Sequence, residues 1–312
     1  MLEFYKTFED GTRRIAEPEP GCWINAVAPT EEERNFLIEQ IGILPEFVKS
    51  SLDEEESSHI DYDDDFRQVL IIFDYPSAEN EDDDSIDSTY STLPIGIVIL
   101  KGYVVTISLY ENWSILEMSQ GRIKGMDTRL KTRFFLLLAL RISQRFLICL
   151  RQIDRLSSRT ETRLHQSVEN DELIEMLGLE KSLVYFSTSL KSDEVTLSKI
   201  TRGKQIQLYE EDEDLLEDVM IEIHQAIEMC NIYSNTMAGT MDTFASIISN
   251  NMNIVMNKLT VITIVMAIPN IIFGFYGMNV QLPFPFVWFP SFVAILACVI
   301  ATVYFFRHNM FK

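Results

Sequence analysis

From Leu259 to Phe306 the chain carries no Asp, Glu, Lys or Arg, 48 consecutive residues in a protein whose formal net charge is −21. An uncharged run of that length far exceeds the core segments of soluble proteins, which disfavours the competing reading of a buried hydrophobic hairpin. It is too long for one membrane helix and suits two. Leu259 to Phe275 gives 17 residues, extended in front by Ile254-Val255-Met256, and Val287 to Phe306 gives 20. A hydrocarbon core about 30 Å thick requires roughly 20 helical residues, so both segments can span. Between them Gln281-Leu282-Pro283-Phe284-Pro285 breaks the helix and predicts a tight loop. Trp288 and Phe289 put aromatic rings at one interface and Tyr304 at the other. Phe134 to Leu140 is only seven apolar residues between Arg133 and Arg141. It reads as a packed helix that does not span.

Basic residues set the expected orientation. Lys258 precedes the first span, Arg307 and Lys312 follow the second, and the connecting loop has none. Both termini are therefore expected in the cytoplasm, with the chain in the cell membrane and its loop outside. MLEFYKTFEDGTRR has no apolar run behind its charges, so the long N-terminal part is expected to stay cytoplasmic. The acidic excess argues against nucleic acid as a partner, because phosphate contacts need Lys and Arg. It suits solubility or divalent cations. Cys22, Cys149, Cys230 and Cys298 have no paired spacing and read as small buried hydrophobes in a reducing compartment. His59, His165, His224 and His308 lie far apart in the sequence and form no evident catalytic cluster, so an enzyme is not expected.

At a spacing of three and four, the first span and its lead-in present Asn253, Met256, Thr260, Thr263, Ala267, Asn270, Gly274 and Gly277 on one face. The positions between them are bulky and apolar. A small and polar stripe in lipid serves either close helix packing or a water-filled lumen. Two observations favour the lumen. One such helix cannot enclose a lumen, so it would need symmetric association, and closed rings are a common solution. The stripe also runs directly out of an acidic helical segment. From Gln205 to Asn257 there is no Lys or Arg, but there are ten carboxylates, including Asp218, and Gly239 is the only Gly or Pro. Helical from about Glu211 to Phe275, this segment would be about 100 Å long, a stalk continuous with the span. Its acids would concentrate cations at one mouth.

The rest reads as mixed strand and helix followed by long helices. Val69 to Phe73, Ile95 to Leu100 and Tyr103 to Ile107 have strand patterns, and residues 129–200 have helical periodicity. Between Glu46 and Asp87 there are 16 acids against Lys49 and Arg67; between Arg122 and Arg163 there are 11 bases against three acids. These two regions either neutralise one another or mark a regulatory cation site. Glu79 to Asp84 reads as a solvated hairpin tip without a site.

Met252 to Asn279, MNIVMNKLTVITIVMAIPNIIFGFYGMN, with a short loop and a last span ending in basic residues, resembles the CorA family of magnesium transporters. The signature is Tyr276-Gly277-Met278-Asn279 at the outer end of the first span, supported by Met252, Asn253, Met256, Leu259 and Thr260. Cys22-Trp23-Ile24-Asn25 and Pro29-Thr30-Glu31-Glu32-Glu33 are similar to the family's opening strand and first helix. The resemblance implies a homopentameric funnel: an α/β N-terminal cytosolic domain, long stalk helices and two C-terminal transmembrane helices. It implies a selectivity filter at Gly277, Met278 and Asn279, with Asn279 as the outer ring. Asn253, Met256, Leu259, Thr260 and Gly274 would line the pore, Leu259 adding a hydrophobic gate. Ala267-Ile268-Pro269-Asn270 departs from the family's Met-Pro-x-Thr run; Asn270 keeps a polar ring, but a Met gate is absent.

The resemblance further implies a regulatory Mg²⁺ site between one copy's N-terminal domain and a neighbour's stalk. Asp218 falls at the stalk position. Ser50 falls at the N-terminal position, and the nearby Asp53, Glu54, Glu55 and Glu56 are the candidate substitutes. The expected partners are the chain's own copies, membrane lipid and Mg²⁺, the ion transported and regulating, with no other cofactor. Val280 to Pro285 lacks an acidic Met-Pro-Glu-Leu element, which leaves Co²⁺, Ni²⁺ or Zn²⁺ as alternative ions. A non-conducting membrane-anchored sensor or scaffold is the alternative of another class. The expected layout is an α/β domain over 1–128, a helical region over 129–210 and a stalk over 211–258. Spans follow over 259–276 and 287–306, around an outer loop at 277–286, with a basic tail at 307–312.

Overall fold

The computed structural model describes residues 1–9, 11–78, 89–166, 170–203, 206, 208–278, 284, 286 and 288–307. The chain divides into two units, Met1–Ala238 and Gly239–Lys312, and the division falls within one long helix.

The first unit is built on a seven-stranded sheet. Its strands are β1 (Leu2–Phe8), β2 (Gly11–Ile15), β3 (Trp23–Val27), β4 (His59–Asp63), β5 (Gln68–Ala78), β6 (Tyr90–Ile99) and β7 (Val104–Ser108). They lie in the order β2-β1-β3-β7-β6-β5-β4. Among the described residues only the β3–β7 pair is parallel. The central strands are buried on both faces, as their unbroken apolar runs require.

Period-two alternation sends side chains from one strand into two cores. Cys22, Ile24 and Ala26 point into a cluster with Leu37, Phe47, Val48, Leu70, Ile72 and Val105. The short helices α1 (Glu31–Phe36) and α2 (Pro45–Ser50) and a π-helical turn over Leu37–Ile41 cover that side. Thr30 caps α1 with a full capping box to Glu33. Trp23 points the other way, stacked on Tyr5 at 4.8 Å and tilted against Phe134 at 5.1 Å. Its indole N–H donates to Thr106 Oγ1 at 2.8 Å.

That second face carries, after the short α3 (Trp113–Ser119), the long helices α4 (Lys131–Gln166) and α5 (Asn170–Arg202). Phe134 to Leu138 are buried, so the seven-residue apolar run does pack inside the molecule. Helix α6 (Glu210–Tyr276) follows, and its portion in this unit buries Leu216, Val219, Ile223, Ala226 and Cys230 at three- and four-residue spacing. Polar contacts fix its direction. Arg133 Nη1 pairs with Asp212 at 3.4 Å and Gln144 donates to Glu222 at 3.5 Å, so α6 runs parallel to α4. His224 Nε2 lies 2.6 Å from Glu194 on α5. Burial pushes the Cys230 thiol up to about 12 and raises that of Cys22, so neither is a reactive thiolate.

The strand at Cys22–Asn25, expected to open the fold, is preceded by the β1–β2 hairpin. The acidic segment at Glu79 to Asp84 lies outside the described residues.

The second unit holds the remainder of α6 and α7 (Phe289–Arg307). Both helices are long and apolar enough to cross a membrane. Val287, where the second span was expected to begin, lies outside the described residues. Helix α6 continues through Pro269.

Candidate functional site

The threonine hydroxyls on the first span are reconciled with their apolar surroundings locally. Thr260 Oγ1 donates to the Met256 carbonyl and Thr263 Oγ1 to the Leu259 carbonyl, both at 2.8 Å. The hydroxyl protons are thereby used on the helix itself, leaving oxygen lone pairs pointing outward.

The span has two unlike faces. Its buried or half-buried positions include Val261, Val265, Ile268, Ile272 and Tyr276. This face meets α7: Cys298 Sγ donates to the Val265 carbonyl at 3.6 Å, and the Tyr276 and Phe289 rings lie 6.2 Å apart. Asn253, Met256, Leu259, Thr260, Thr263, Ala267, Asn270 and Gly274 are all exposed, Met256 by 57 % and Leu259 by 62 %. At about 100° per residue, the exposed polar stripe and the α7-facing stripe fall on opposite sides of the helix.

Gly274 sharpens the point. A Cβ built there would meet nothing within 4 Å. Glycine inside a helix costs about 1 kcal/mol relative to alanine, so packing within this chain does not account for it. Gly277 is different, because its Cβ would come 3.2 Å from the Phe273 carbonyl. That carbonyl accepts the Gly277 N–H at 2.9 Å, and Met278 N–H reaches Phe275 O at 3.3 Å, ending α6 in a tight turn. Asn279 and the loop residues 280–283, 285 and 287 lie outside the described residues.

The acidic candidates of the first unit are solvent-facing. Asp218 is exposed on α6, as are Asp53, Glu54 and Glu55 after α2, while Glu56 is half-buried. Tyr110 donates to Glu54 at 2.9 Å, Glu55 N–H to Asp53 at 3.1 Å, and Glu56 lies 3.6 Å from His59. Among the described residues, no group of three or more His, Cys, Asp or Glu side chains is placed to hold a metal ion. One chain therefore does not assemble Asp218 and the 53–56 carboxylates into a site. Two of the bases counted between Arg122 and Arg163 meet acids of other helices, Arg133 with Asp212 and Arg163 with Glu175.

Sequence reasoning missed the partner of the Val265 carbonyl. Proline has no N–H, so Pro269 leaves the carbonyl four residues earlier without its helical donor. The signal was a proline inside an uncharged span, and Cys298 answers it.

An α/β unit followed by long helices and two apolar spans, the first with an uncovered polar face, defines a membrane transport protein with two C-terminal spans. A family model described as CorA-like Mg²⁺ transporter protein matches residues 19–308. The chain belongs to that family and is not an enzyme. It is 29% identical over 266 residues to the cobalt/magnesium transport protein CorA of Methanocaldococcus jannaschii, covering 82% of this chain and 79% of the relative. It is 21% identical to the putative metal ion transporter YfjQ of Bacillus subtilis, covering 96% and 94%. The complete structure of the M. jannaschii CorA magnesium transporter superimposes with a TM-score of 0.82 at 24% identity, covering 99% and 98% of the two chains.

Proposed function

We propose that this chain forms a homopentamer in the cell membrane, with five copies of α6 lining a pore that conducts hydrated Mg²⁺ inward. The observation that carries the reading is the exposed stripe from Asn253 to Gly274, opposite the face that meets α7. A polar face in a membrane calls for a lumen or a copy of itself, and a ring of copies provides both. The M. jannaschii relative is named for cobalt and magnesium, which supports Mg²⁺ as substrate with Co²⁺ as a second ion.

The residue types suit the chemistry. Mg²⁺ gives up its waters reluctantly, so a selective ring accepts hydrogen bonds from the hydrated ion. The carbonyl oxygens of Asn279 and Asn270, and the lone pairs of Thr260 and Thr263, do this without charge and let the ion leave. Gly277 and Met278 complete the filter at the outer mouth, Leu259 forms a hydrophobic constriction, and Ala267 and Gly274 keep the lumen wide. A potential of 100 mV contributes about 2.3 kcal/mol per charge, about twice that for a divalent ion, so uptake needs no nucleotide. Both termini lie in the cytoplasm. Internal Mg²⁺ bound between Asp218 of one copy and Asp53 to Glu56 of a neighbour holds the pore shut, and its loss leaves carboxylates that repel.

The test is flux into proteoliposomes with Mg²⁺, Co²⁺ and Zn²⁺ in parallel. Mg²⁺ and Co²⁺ entry driven by voltage is expected. Entry of Zn²⁺ with exclusion of Mg²⁺ would reassign the ion, and no flux at all would leave a sensor or scaffold.

A further inference from the structure

Asp74 on β5 and Asp193 on α5 meet inside the first unit. Asp193 is 0% exposed and Asp74 7%. The Asp74 N–H donates to Asp193 Oδ1 at 3.0 Å, while the Ser58 hydroxyl nearby lies 2.9 Å from the Ile72 carbonyl and 2.9 Å from Thr196 Oγ1. The Ser189 hydroxyl donates to Thr92 Oγ1 at 2.8 Å. The second oxygen, Asp193 Oδ2, is buried with no partner. An ionised carboxylate with a bare buried oxygen is costly, and a second carboxylate beside it raises the cost. One proton on the pair cancels a charge and so removes the larger of these penalties.

Several charged groups of the surrounding elements have partners of their own. On α5, Glu194 meets His224, and Lys191 acts on Cys230 of α6. On β4, His59 lies beside Glu56. On α4, Arg141 donates to Gln144, Arg145 sits over the Trp113 ring and Arg151 donates to the Leu147 carbonyl. Tyr90 of β6 donates to Gln152. The charge acting on Asp193 is that of Asp74.

We propose that Asp74 and Asp193 form a buried proton-binding site, holding one proton at neutral pH, through which alkaline pH loosens the packing of α5 on the part of α6 that belongs to the same unit. The mechanical link is short. Asp193 is followed by Glu194, whose carboxylate is 2.6 Å from His224 on α6. When the proton leaves Asp193, two buried negative charges face each other across the β5–α5 contact, and α5 is the element that gives. Burial pushes the Asp74 carboxyl up to about 6, and burial together with the Asp74 charge raises Asp193 well above the ordinary carboxylate range. The pair as a unit thus holds a proton more tightly than an ordinary aspartate does.

The experiment uses the full chain in nanodiscs, with infrared detection of protonated carboxyl groups and hydrogen exchange along α5. Wild type is expected to show a protonated carboxyl at neutral pH that Asp193→Asn removes. Protection factors of α5 amides are expected to fall about tenfold as pH is raised from neutral into the alkaline range in wild type and to stay level in Asp193→Asn. Asp74→Asn, which keeps Asp193 but removes the charge that holds its proton, should move the transition to lower pH. A wild type without that carboxyl signal, equal pH dependence in wild type and Asp193→Asn, or an unmoved transition in Asp74→Asn overturns the proposal. So does a bound Mg²⁺ between the two carboxylates in place of the proton.

Discussion

The thiol of Cys298 on α7 donates at 3.6 Å to the backbone carbonyl of Val265 on α6, the carbonyl that Pro269 deprives of its helical donor. A weakness in one span is thus answered from the other. The contact also fixes which face of α6 turns toward α7, and so which face is left over.

That contact predicts a graded response at position 298. Cys298→Ser keeps a donor and should leave stability unchanged. Cys298→Ala strands the carbonyl in an apolar setting and should destabilise the helix pair by about 0.5–2 kcal/mol. Unfolding titrations in mixed micelles measure the difference, and equal behaviour of the two variants would remove Cys298 from this role.

Gly96 on β6 sits under α2. A Cβ there would lie 1.9 Å from Ser51 Oγ and 2.4 Å from Ser51 Cβ, and Ser51 is fully buried with its hydroxyl on the Phe47 carbonyl at 2.7 Å. Gly96→Ala should destabilise the first unit by about 1–3 kcal/mol through overpacking. Ser51→Gly in the same chain removes the obstructing atoms and should recover most of the loss. Thermal unfolding of the single and double variants checks the coupling.

Stability of the first unit should fall as pH rises from the ordinary aspartate range through about 6. The Asp74 carboxyl is held high by burial, so in that window the folded chain binds more protons than the unfolded one. The contribution is fully present at low pH and lost as pH passes the folded value. Asp74→Asn should flatten this part of the profile and raise the melting temperature at pH 8 relative to wild type. A melting temperature lowered equally at pH 5 and pH 8 would show a packing defect instead.

Neutralising Asp218 together with Asp53, Glu54, Glu55 and Glu56 should leave currents insensitive to internal Mg²⁺ while conduction persists. Asp218, Asp53, Glu54 and Glu55 face solvent and Glu56 is half-buried, so the substitutions at the four exposed positions should change folding by less than about 0.5 kcal/mol each. Voltage-clamp recordings with internal Mg²⁺ removed and restored read the effect, and inhibition equal to that of wild type counts against a regulatory role.

The uncharged stretch and the Tyr276–Asn279 signature made the family and the two apolar C-terminal helices legible, because lipid imposes a composition that little else does. The apolar runs at Val69–Phe73 and Ile95–Leu100 likewise belong to strands covered on both faces. The β1–β2 hairpin was not legible, since Glu3, Lys6, Arg13 and Arg14 interrupt its pattern at a sheet edge where burial is slight. Nor was β4, an edge strand carrying Asp61 and Asp63. Asp193 was hidden by the chain's many acids, although a signal existed. It occupies a slot in the buried seam Met176, Leu179, Leu183, Phe186, Leu190, Asp193, Leu197 and Ile200, where the three–four spacing calls for an apolar residue. Asp74 is embedded in the same way in the buried run of β5. The α7-facing side of the first span depended on a partner helix, which periodicity within one segment does not supply.

If the exposed stripe of α6 lines a cation pathway, flux through purified protein in proteoliposomes depends on the residues of that stripe. Gly274→Leu fills space that nothing in the chain occupies, so it should leave the chain folded and abolish voltage-driven Mg²⁺ entry. Asn279→Ala should relax ion selection, and Ile262→Val, away from both the stripe and the α7 face, should conduct like wild type. Mg²⁺ flux through Gly274→Leu equal to that of wild type would contradict the account.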